Sequence, residues 1–246
     1  MKRSRRFVGL LIAFTIVVFT YLVIADKTKK SYLYYDFGAE VPKDYSYLGI
    51  DVSHHQGEIN WKEVSAMKSG TDSIDFAYIK ASEGTNYTDD KFLQNVSQAS
   101  ENNIEFGLYH FFRPEFSAQQ QALFFSQKCL AADDTLRPML DVEKNSNYSK
   151  SRLLDSVYVF IKTFNELVKM KPIIYTYESF YHDYFEGSYL KHELFWIANY
   201  NGETQLIEEE NVIVWQFSEK GTVNGIETKV DLNVAKSKFK EVMYQD

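Results

Sequence analysis

The sequence predicts an α/β fold, a modified TIM-like (β/α) barrel with irregular last strands, preceded by one N-terminal transmembrane helix. Three observations support this prediction. An uncharged apolar run lies near the amino terminus, eight short apolar runs recur from Tyr47 onward, and longer amphipathic stretches separate most of these runs. Strands that alternate with helices are typical of barrels with parallel strands. Hydrophobic residues make up 45% of the chain and charged residues 25%, which permits a packed core.

The first segment of the chain has the properties of a membrane anchor. Residues 7–25 carry no charge, and a helix of that length spans roughly 28 Å, close to the hydrocarbon thickness of a bilayer. Basic residues precede the run, which favours a cytoplasmic amino terminus and an exported body. A cleaved signal peptide that ends at Ala25 is the alternative, but the run is longer than a usual signal core. We therefore expect an uncleaved anchor over residues 1–25, a tether over 26–46 and a barrel over 47–246.

The eight apolar runs are the predicted barrel strands. Each is rich in β-branched or aromatic residues and ends in polar residues. The strands cover residues 47–53, 76–82, 106–112, 138–143, 172–177, 194–200, 212–218 and 229–234. The predicted helices cover residues 61–69, 89–103, 117–132, 150–170 and 179–190.

The last part of the barrel departs from this alternation. Residues 201–211 are a weak helix candidate. Residues 221–227 contain two glycines and are typical of a hairpin rather than of a crossover helix. We therefore expect the last strands to run antiparallel.

Charge and cysteine content exclude several classes of function. The formal net charge is −7, a poor match for nucleic acid, whose phosphates require a positive surface. Cys129 is the single cysteine, and we interpret it as a buried apolar residue. His54 and His55 are adjacent and would point to opposite faces of a strand, and no Glu or His at helical spacing completes a zinc site. We expect no metal and no cofactor.

Polar residues at the ends of the predicted strands mark a candidate cleft. Catalytic groups of such barrels lie at the carboxyl ends of the strands. In this chain those ends carry Asp51, His54, Lys80, Glu83, Tyr109, His110, Asp141, Glu143, Tyr175, Tyr177, Asn199, Tyr200, Gln216 and Asp231. We expect these side chains to lie around one cleft.

Asp141 and Glu143 are the most informative pair in this set. Two carboxylates two residues apart on a strand point to the same face, with Cβ atoms about 7 Å apart. Like charges that close raise the pKa of one acid, which can then donate a proton at neutral pH while the other stays ionised. Alone, such a pair is more often a solvated strand end. The apolar strand before it and the acids at other strand ends favour a functional site.

Three further residues allow two interpretations each. Asp51 could pair with Lys80, or it could belong to the cleft. Trp196 could line the cleft or pack inside the barrel. Asp231 could form a salt bridge at the hairpin end or be the last acid of the cleft.

The chain resembles glycoside hydrolase family 25, the muramidases of the Chalaropsis type of lysozyme. The resemblance rests on short motifs in a fixed order, which span nearly all of the chain after Tyr47. They are GIDVSHHQG (49–57), INW (59–61), FAYIKASEG (76–84), GLYHF (107–111), PMLDVE (138–143), IYT (174–176), WIANY (196–200), VWQF (214–217) and VDLN (230–233). Each motif is modest, but their joint presence is specific. Asn60 departs from the family, which often has Asp before this tryptophan.

The resemblance implies hydrolysis of the β-1,4 bond between N-acetylmuramic acid and N-acetylglucosamine in peptidoglycan. It implies that Glu143 is the general acid and that Asp141 orients or stabilises the substrate's acetamido group as this group attacks the anomeric carbon. Asp51 and Asp231 would be the remaining catalytic acids. The implied substrate-binding residues are Tyr78, Tyr109, Tyr175, Tyr200, Gln216 and Trp196.

The position of the two acids favours a substrate-assisted route. Retaining enzymes with a protein nucleophile hold their carboxyls about 5–5.5 Å apart, and inverting enzymes about 6.5–9.5 Å. Two acids from one strand approach the sugar from similar directions, which fits neither arrangement. We therefore expect retention of configuration through the acetamido group.

Two alternative functions remain open. A non-catalytic glycan-binding protein would keep the aromatic residues and lose the acid, and a chitinase-like hydrolase of amino sugars also uses spaced acids on one strand. The expected partners are the glycan strands of peptidoglycan and, through the N-terminal helix, the membrane. We expect a monomer at the cell membrane with its barrel outside the cytoplasm, or a secreted protein if the first segment is cleaved.

Overall fold

The structure, a computed structural model, describes residue 14 and residues 17–21, 35–132 and 136–244. Across these ranges, no helix is long and apolar enough to cross a membrane. Most of the predicted anchor at 7–25 lies outside the described residues, as does the first part of the predicted tether. The second part of the tether contacts the barrel, because Phe37 and Val41 are buried in the main core. The Phe37 carbonyl also accepts a hydrogen bond from the Thr222 N–H at 2.7 Å.

Eight strands form the barrel, and all eight predicted strands are confirmed. They are β1 (Tyr47–Val52), β2 (Phe76–Glu83), β3 (Glu105–Phe111), β4 (Met139–Asp141), β5 (Ile173–Tyr177), β6 (Phe195–Ala198), β7 (Val212–Gly221) and β8 (Val230–Ala235). Short strand pairs at Lys68–Ser69 with Asp72–Ser73, and at Tyr87–Thr88 with the end of β2, lie outside this ring.

The strands close into a ring with one reversed member. Their order is β1-β8-β7-β6-β5-β4-β3-β2, and parallel pairing of β1 with β2 closes the barrel. The strands from β2 to β7 pair in parallel with one another. β8 runs antiparallel to both β7 and β1, which confirms the predicted change of direction. A connection as short as the one between β7 and β8 can only join antiparallel strands.

Helices cover the outside of the barrel between most strands. They are α1 (Trp61–Ala66), α2 (Phe92–Glu101), α3 (Ala118–Ala132), α4 (Lys150–Val168) and α5 (Phe239–Met243). α4 begins at Ser149, whose side chain accepts a hydrogen bond from the Arg152 N–H, and ends at Lys169 in the left-handed conformation. Between β5 and β6 the helix predicted over 179–190 is replaced by a short α-helix, Glu178–Phe180, and a π-helix, Tyr181–Phe185.

Large side chains fill the interior of the barrel beneath the carboxyl ends of the strands. The inner core includes Phe76, Tyr78, Met139, Ile173, Tyr175 and Trp196. Two strand glycines make room for this packing. A Cβ atom would lie 2.3 Å from the ring of Phe76 at Gly49, and 2.8 Å from the ring of Tyr78 at Gly107. The filled interior is a rigid base for the polar side chains above it.

Candidate active site

A pocket of about 250 Å³ lies at the carboxyl ends of the strands, where the predicted site residues converge. Its lining includes ten of the residues predicted around the cleft, Asp51, Lys80, Tyr109, Asp141, Glu143, Tyr175, Tyr177, Tyr200, Gln216 and Asp231, together with Ser53, His55, Phe111, Met139 and Glu219. His54, Glu83, His110 and Asn199 were also predicted there but do not line it. A larger groove of about 580 Å³ between the starts of α3 and α4 contains none of the predicted site residues. The smaller pocket is the candidate active site because it gathers the four acids that were predicted to be catalytic, Asp51, Asp141, Glu143 and Asp231.

The end of β4 directs Asp141 and Glu143 into this pocket. The Asp141 carbonyl accepts a hydrogen bond from the Phe112 N–H at 2.9 Å, and the Val142 N–H donates to the Tyr175 carbonyl at 2.9 Å. Pairing on both sides keeps the backbone extended beyond the last residue of the strand. Side chains alternate along an extended chain, so Val142 is buried in the main core while the two acids line the pocket.

Burial determines the protonation of these two acids. It raises the pKa of Asp141 well above its usual value, and the neighbouring Glu143 charge raises it further while Lys80 opposes the shift. Burial also raises the pKa of Glu143, although hydrogen bonds from Tyr177 and Tyr175 favour its ionised form. Because of their proximity, the two acids do not both ionise readily. The pocket therefore holds at least one acid as a proton donor at pH values where ordinary carboxyls are ionised.

One oxygen of Asp141 is available to a ligand. The Asp141 side chain is 7% exposed, and its Oδ1 atom is buried without a hydrogen-bond partner in the described part of the chain. Buried polar atoms are nearly always paired, so an unpaired acceptor in a pocket is an exception that points to a ligand. A donor on a bound molecule would satisfy it.

A second pair of acids lies on the β1–β8 side of the pocket. Asp51 and Asp231 are directly paired in the register of these antiparallel strands. Asp51 Oδ2 accepts hydrogen bonds from Gln216 Nε2 at 2.9 Å and from Asn233 Nδ2 at 2.8 Å. Burial raises the pKa of both acids, and the pKa of Asp231 reaches about 9 because it is buried beside Asp51. The amide donors favour the ionised form of Asp51, so the proton that the pair shares lies on Asp231.

Gln216 connects this acid pair to two tyrosines. Its side chain is 1% exposed, and its Oε1 accepts hydrogen bonds from the Tyr175 hydroxyl at 2.8 Å and the Tyr200 hydroxyl at 2.5 Å. One hydrogen of its amide group is donated to Asp51. These bonds fix the orientation of Gln216. The side chain thus positions the groups around it in addition to lining the pocket.

Two residues expected to bind sugar, Tyr78 and Trp196, lie in the barrel core instead. Both are fully buried, and their rings pack edge to face with centroids 4.8 Å apart. The Tyr78 hydroxyl donates to the Arg137 carbonyl at 2.7 Å, and the Trp196 indole N–H donates to Asn233 Oδ1 at 3.1 Å. Neither side chain lines the pocket. β2 continues beyond Tyr78, so Lys80, two residues further on the same face, reaches the pocket in its place.

Lys80 and Tyr177, which were predicted at the cleft without an assigned role, and Asn233, which was not predicted there, also contribute to the arrangement. Lys80 lies beside Asp141 and donates to Glu83 Oε2 at 2.8 Å. Tyr177 forms a hydrogen bond with Glu143, and Asn233 donates to Asp51. Each follows a predicted residue by two positions on its strand (Tyr78, Tyr175 and Asp231, respectively). For Asn233, the residue that the sequence analysis missed, the two-residue period of the strand after Asp231 was the signal that could have identified it.

The two adjacent histidines do not take the predicted strand geometry. Residues His54–Gln56 form a 3-10 turn, and the two imidazole rings lie with centroids 4.0 Å apart rather than on opposite faces. His55 lines the pocket, whereas His54 Nδ1 lies 2.6 Å from Asp89 Oδ2. In the portion of the chain that the structure covers, no group of three or more His, Cys, Asp or Glu side chains is arranged to hold a metal ion.

Sequence comparisons agree with this geometry. Residues 50–226 match the sequence model of Glycosyl hydrolases family 25. The chain is 34% identical over 206 residues to the protein YegX of Escherichia coli strain K12, across 84% of this chain and 75% of YegX. It is also 34% identical over 200 residues to Lysozyme M1 of Streptomyces globisporus, across 75% of this chain and 66% of that protein.

Solved structures share the fold. A bacterial lysozyme from Streptomyces coelicolor matches with a TM-score of 0.68 at 30% identity, over 80% of this chain and 95% of the other. A family 25 glycosyl hydrolase from Bacillus anthracis matches with a TM-score of 0.72 at 26% identity, over 82% and 95% of the two chains. With the closed eight-stranded barrel and its acid-lined pocket, these matches show that the chain belongs to glycosyl hydrolase family 25 and is a glycoside hydrolase of the lysozyme type.

Proposed function

We propose that the chain hydrolyses the β-1,4 bond between N-acetylmuramic acid and N-acetylglucosamine in peptidoglycan, with retention of configuration through the substrate's acetamido group. The observation that carries this proposal is the pair of acids at the end of β4, Asp141 and Glu143, with an unpaired buried oxygen on Asp141. Membership of family 25 supports the same class of reaction.

Glu143 is the general acid in this mechanism. Burial raises its pKa, so it keeps its proton in a pH range where an ordinary glutamate is ionised. The proton passes to the glycosidic oxygen as the bond from C1 to that oxygen breaks. The acetamido oxygen forms the new bond to C1 and gives a cyclic oxazolinium ion. Because the nucleophile belongs to the substrate, no carboxylate is required on the opposite face of the sugar.

Asp141 stabilises the oxazolinium ion. Its Oδ1 atom accepts the acetamido N–H, and its carboxylate lies beside the developing positive charge. Burial favours the protonated form of Asp141, whereas Lys80 and the cationic intermediate favour the ionised form. Water then attacks C1, the Glu143 carboxylate takes a proton from that water, and the ring opens. The product keeps its original configuration because C1 is inverted twice.

The configuration of the first product tests retention. Proton NMR during digestion of a defined glycan oligosaccharide should show the β-anomer first, whereas an initial α-anomer would indicate inversion. Asp141→Asn should lower kcat by roughly 10²–10³ and weaken inhibition by a thiazoline analogue of the oxazolinium ion. If the thiazoline does not inhibit the wild-type enzyme, the acetamido group is not the nucleophile.

We also propose that residues 7–25 hold the barrel, as a monomer, at the outer side of the cell membrane. The uncharged apolar run and the basic residues before it support this location, and so does a peptidoglycan substrate. Cell fractionation and the mass of the intact chain test it. An uncleaved chain in the membrane fraction is the expected result, and a secreted chain that begins after Ala25 would contradict it.

A further inference from the structure

The groove between the first turns of α3 and α4 has no part in the proposed mechanism. Its volume is about 580 Å³, within the roughly 300–1,000 Å³ of typical ligand sites. One wall is the connection from β3 to α3, which includes Glu115 and Phe116. The other wall is formed by Tyr148, in the connection from β4, and by the first half of α4. Both walls therefore extend from strands whose ends line the catalytic pocket.

A chain of ion pairs connects the catalytic pocket to this groove. Lys80, which lines the pocket, donates to Glu83 Oε2 at 2.8 Å. Arg113 Nη1 donates to the other oxygen of Glu83 at 3.1 Å, and Arg113 Nε donates to Glu115 at 2.9 Å. Glu115 lines the groove, and its second oxygen accepts a hydrogen bond from the Ser146 hydroxyl at 2.7 Å. The two cavities are thus neighbours, joined by one polar network.

The muramyl residue carries an arm that can reach from the pocket to the groove. In the proposed mechanism Asp141 accepts the N–H of the acetamido group on C2, and the adjacent carbon, C3, carries the lactyl group that bears the stem peptide. Asp141 is paired with Phe111 of β3, the strand that leads to the groove. From Phe111, in the pocket, to Phe116, in the groove, the chain spans at most about 17 Å. An extended stem peptide of about five residues has the same reach.

The charges in the groove match a stem peptide, which carries carboxylates and, on its diamino acid, an amine. Arg152 is exposed, its guanidinium carbon lies 3.7 Å from the centroid of the Tyr148 ring, and it forms no ion pair within the described part of the chain. The N-termini of α3 and α4 add partial positive charge that favours a carboxylate. Asp155 accepts a hydrogen bond from the Tyr189 hydroxyl at 2.8 Å but, among the described residues, pairs with no cation. The exposed Phe116 ring offers an apolar contact for alanine methyl groups.

We propose that this groove binds the stem peptide of the muramyl residue that occupies the catalytic pocket, with a carboxylate of the peptide at Arg152 and its amine at Asp155. The assignment rests on the proposed function, since it takes a muramyl residue as the sugar that Asp141 holds. It makes the peptide, and not only the glycan, a contributor to kcat/KM. The chain then distinguishes peptide-bearing glycan from bare glycan through residues outside the catalytic pocket.

Two variants of the full-length chain test this assignment. Arg152→Gln removes the cation, and Ser151→Trp fills the groove from an exposed position in its lining. Each is assayed on two soluble glycan oligosaccharides, one with its stem peptides and one from which an amidase has removed them. The ratio of kcat/KM on the peptide-bearing glycan to kcat/KM on the bare glycan should fall about fivefold or more in both variants.

The matched control is Lys162→Gln, which removes a positive charge from an exposed position further along α4, outside the groove. It should keep the wild-type ratio. If one of the two test variants does not fold by thermal melting, the other decides. An unchanged ratio in a folded variant, or an equal loss on both substrates, overturns the assignment and leaves the proposed function in place. If the wild type cleaves neither substrate, the proposed function fails and this assignment falls with it.

Discussion

The Tyr177 hydroxyl sets the upper pH limit of the general acid. It forms a hydrogen bond with Glu143 that favours the ionised form and so lowers the pKa of an acid that burial raises. Tyr177→Phe removes this bond, so the pKa of Glu143 should rise. Only protonated Glu143 can donate, and the alkaline limb of the kcat/KM profile should therefore move to higher pH by about one unit.

The matched control for this prediction is Tyr189→Phe. The Tyr189 hydroxyl donates to Asp155 at 2.8 Å, and Tyr189 does not line the pocket. Its pH profile should superpose on that of the wild type. An alkaline limb that stays in place or moves to lower pH in Tyr177→Phe would contradict the role given to Glu143.

Asp231 should destabilise the fold as the pH rises. Its pKa is raised to about 9 in the folded protein, whereas an unfolded aspartate titrates near about 3.9. Between these values the unfolded chain has released the proton that the folded chain keeps, so the free energy of unfolding falls as the pH rises. Asp231→Asn keeps a donor toward Asp51 and removes the acid. It should raise the free energy of unfolding at pH 8 by about 1–3 kcal/mol, with a much smaller effect near pH 4.

Urea unfolding at the two pH values measures this difference. Asp183→Asn is the control, because Asp183 is exposed on the π-helix and does not line the pocket. It should change the free energy of unfolding by less than about 0.5 kcal/mol at either pH. An Asp231→Asn variant that is less stable than the wild type at pH 8 would show that Asp231 is ionised there.

At the scale of residues, the sequence located the four acids that line the pocket. It also predicted two sugar-binding residues, Tyr78 and Trp196, that lie in the barrel core. Asp141 and Glu143 follow directly from the two-residue period of a strand. Tyr78 and Lys80 share one face of β2, and the same period cannot tell which of them reaches the pocket. That depends on how far each strand extends relative to its neighbours, which the tilt and stagger of the closed barrel determine.

At the scale of elements, the glycine in β1 should be essential for packing. A Cβ atom at Gly49 would lie 2.3 Å from the ring of the fully buried Phe76. Gly49→Ala should therefore lower the free energy of unfolding by about 1–3 kcal/mol, and the melting temperature by about 2–4 °C for each kcal/mol. Thermal melting followed by circular dichroism measures the change.

A double-mutant cycle separates this contact from a general effect of the substitution. Phe76→Leu removes the ring that the new methyl group would meet, so the double variant should lose less stability than the sum of the two single variants. If the stability losses of the two single variants simply add, the methyl group introduced at residue 49 does not clash with the Phe76 ring, which would contradict the structure.

Strands were more predictable than connections in this chain. Each strand is a compact apolar run, and its position follows from local composition. The segment between β5 and β6 has an apolar period compatible with one helix, yet it forms a π-helix in which Tyr181 and Phe185 both pack against Phe195. Contacts with a strand that follows later in the chain determine this geometry, and a local pattern does not contain them.

At the scale of the whole molecule, one end of the barrel contributes to stability and the other end carries the site. Large side chains fill its interior, and at the amino ends of the strands Tyr78 and Arg137 join β2 and β4 to the C-terminal helix α5. The carboxyl ends carry four acids and the tyrosines around them. This division is general for barrels of this kind, and it explains why most of the polar residues predicted at the strand ends line the pocket.

Digestion of purified peptidoglycan tests the central claim most directly. The full-length chain and its Glu143→Gln variant are incubated with the polymer, and the new reducing ends are identified by mass spectrometry. The mechanism predicts reducing-end N-acetylmuramic acid from the wild type and a rate lower by about 10²–10⁴ in the variant, because the isosteric amide cannot donate the proton. Reducing-end N-acetylglucosamine, cleavage of chitin oligomers in preference to peptidoglycan, or binding without cleavage by the wild type would contradict it.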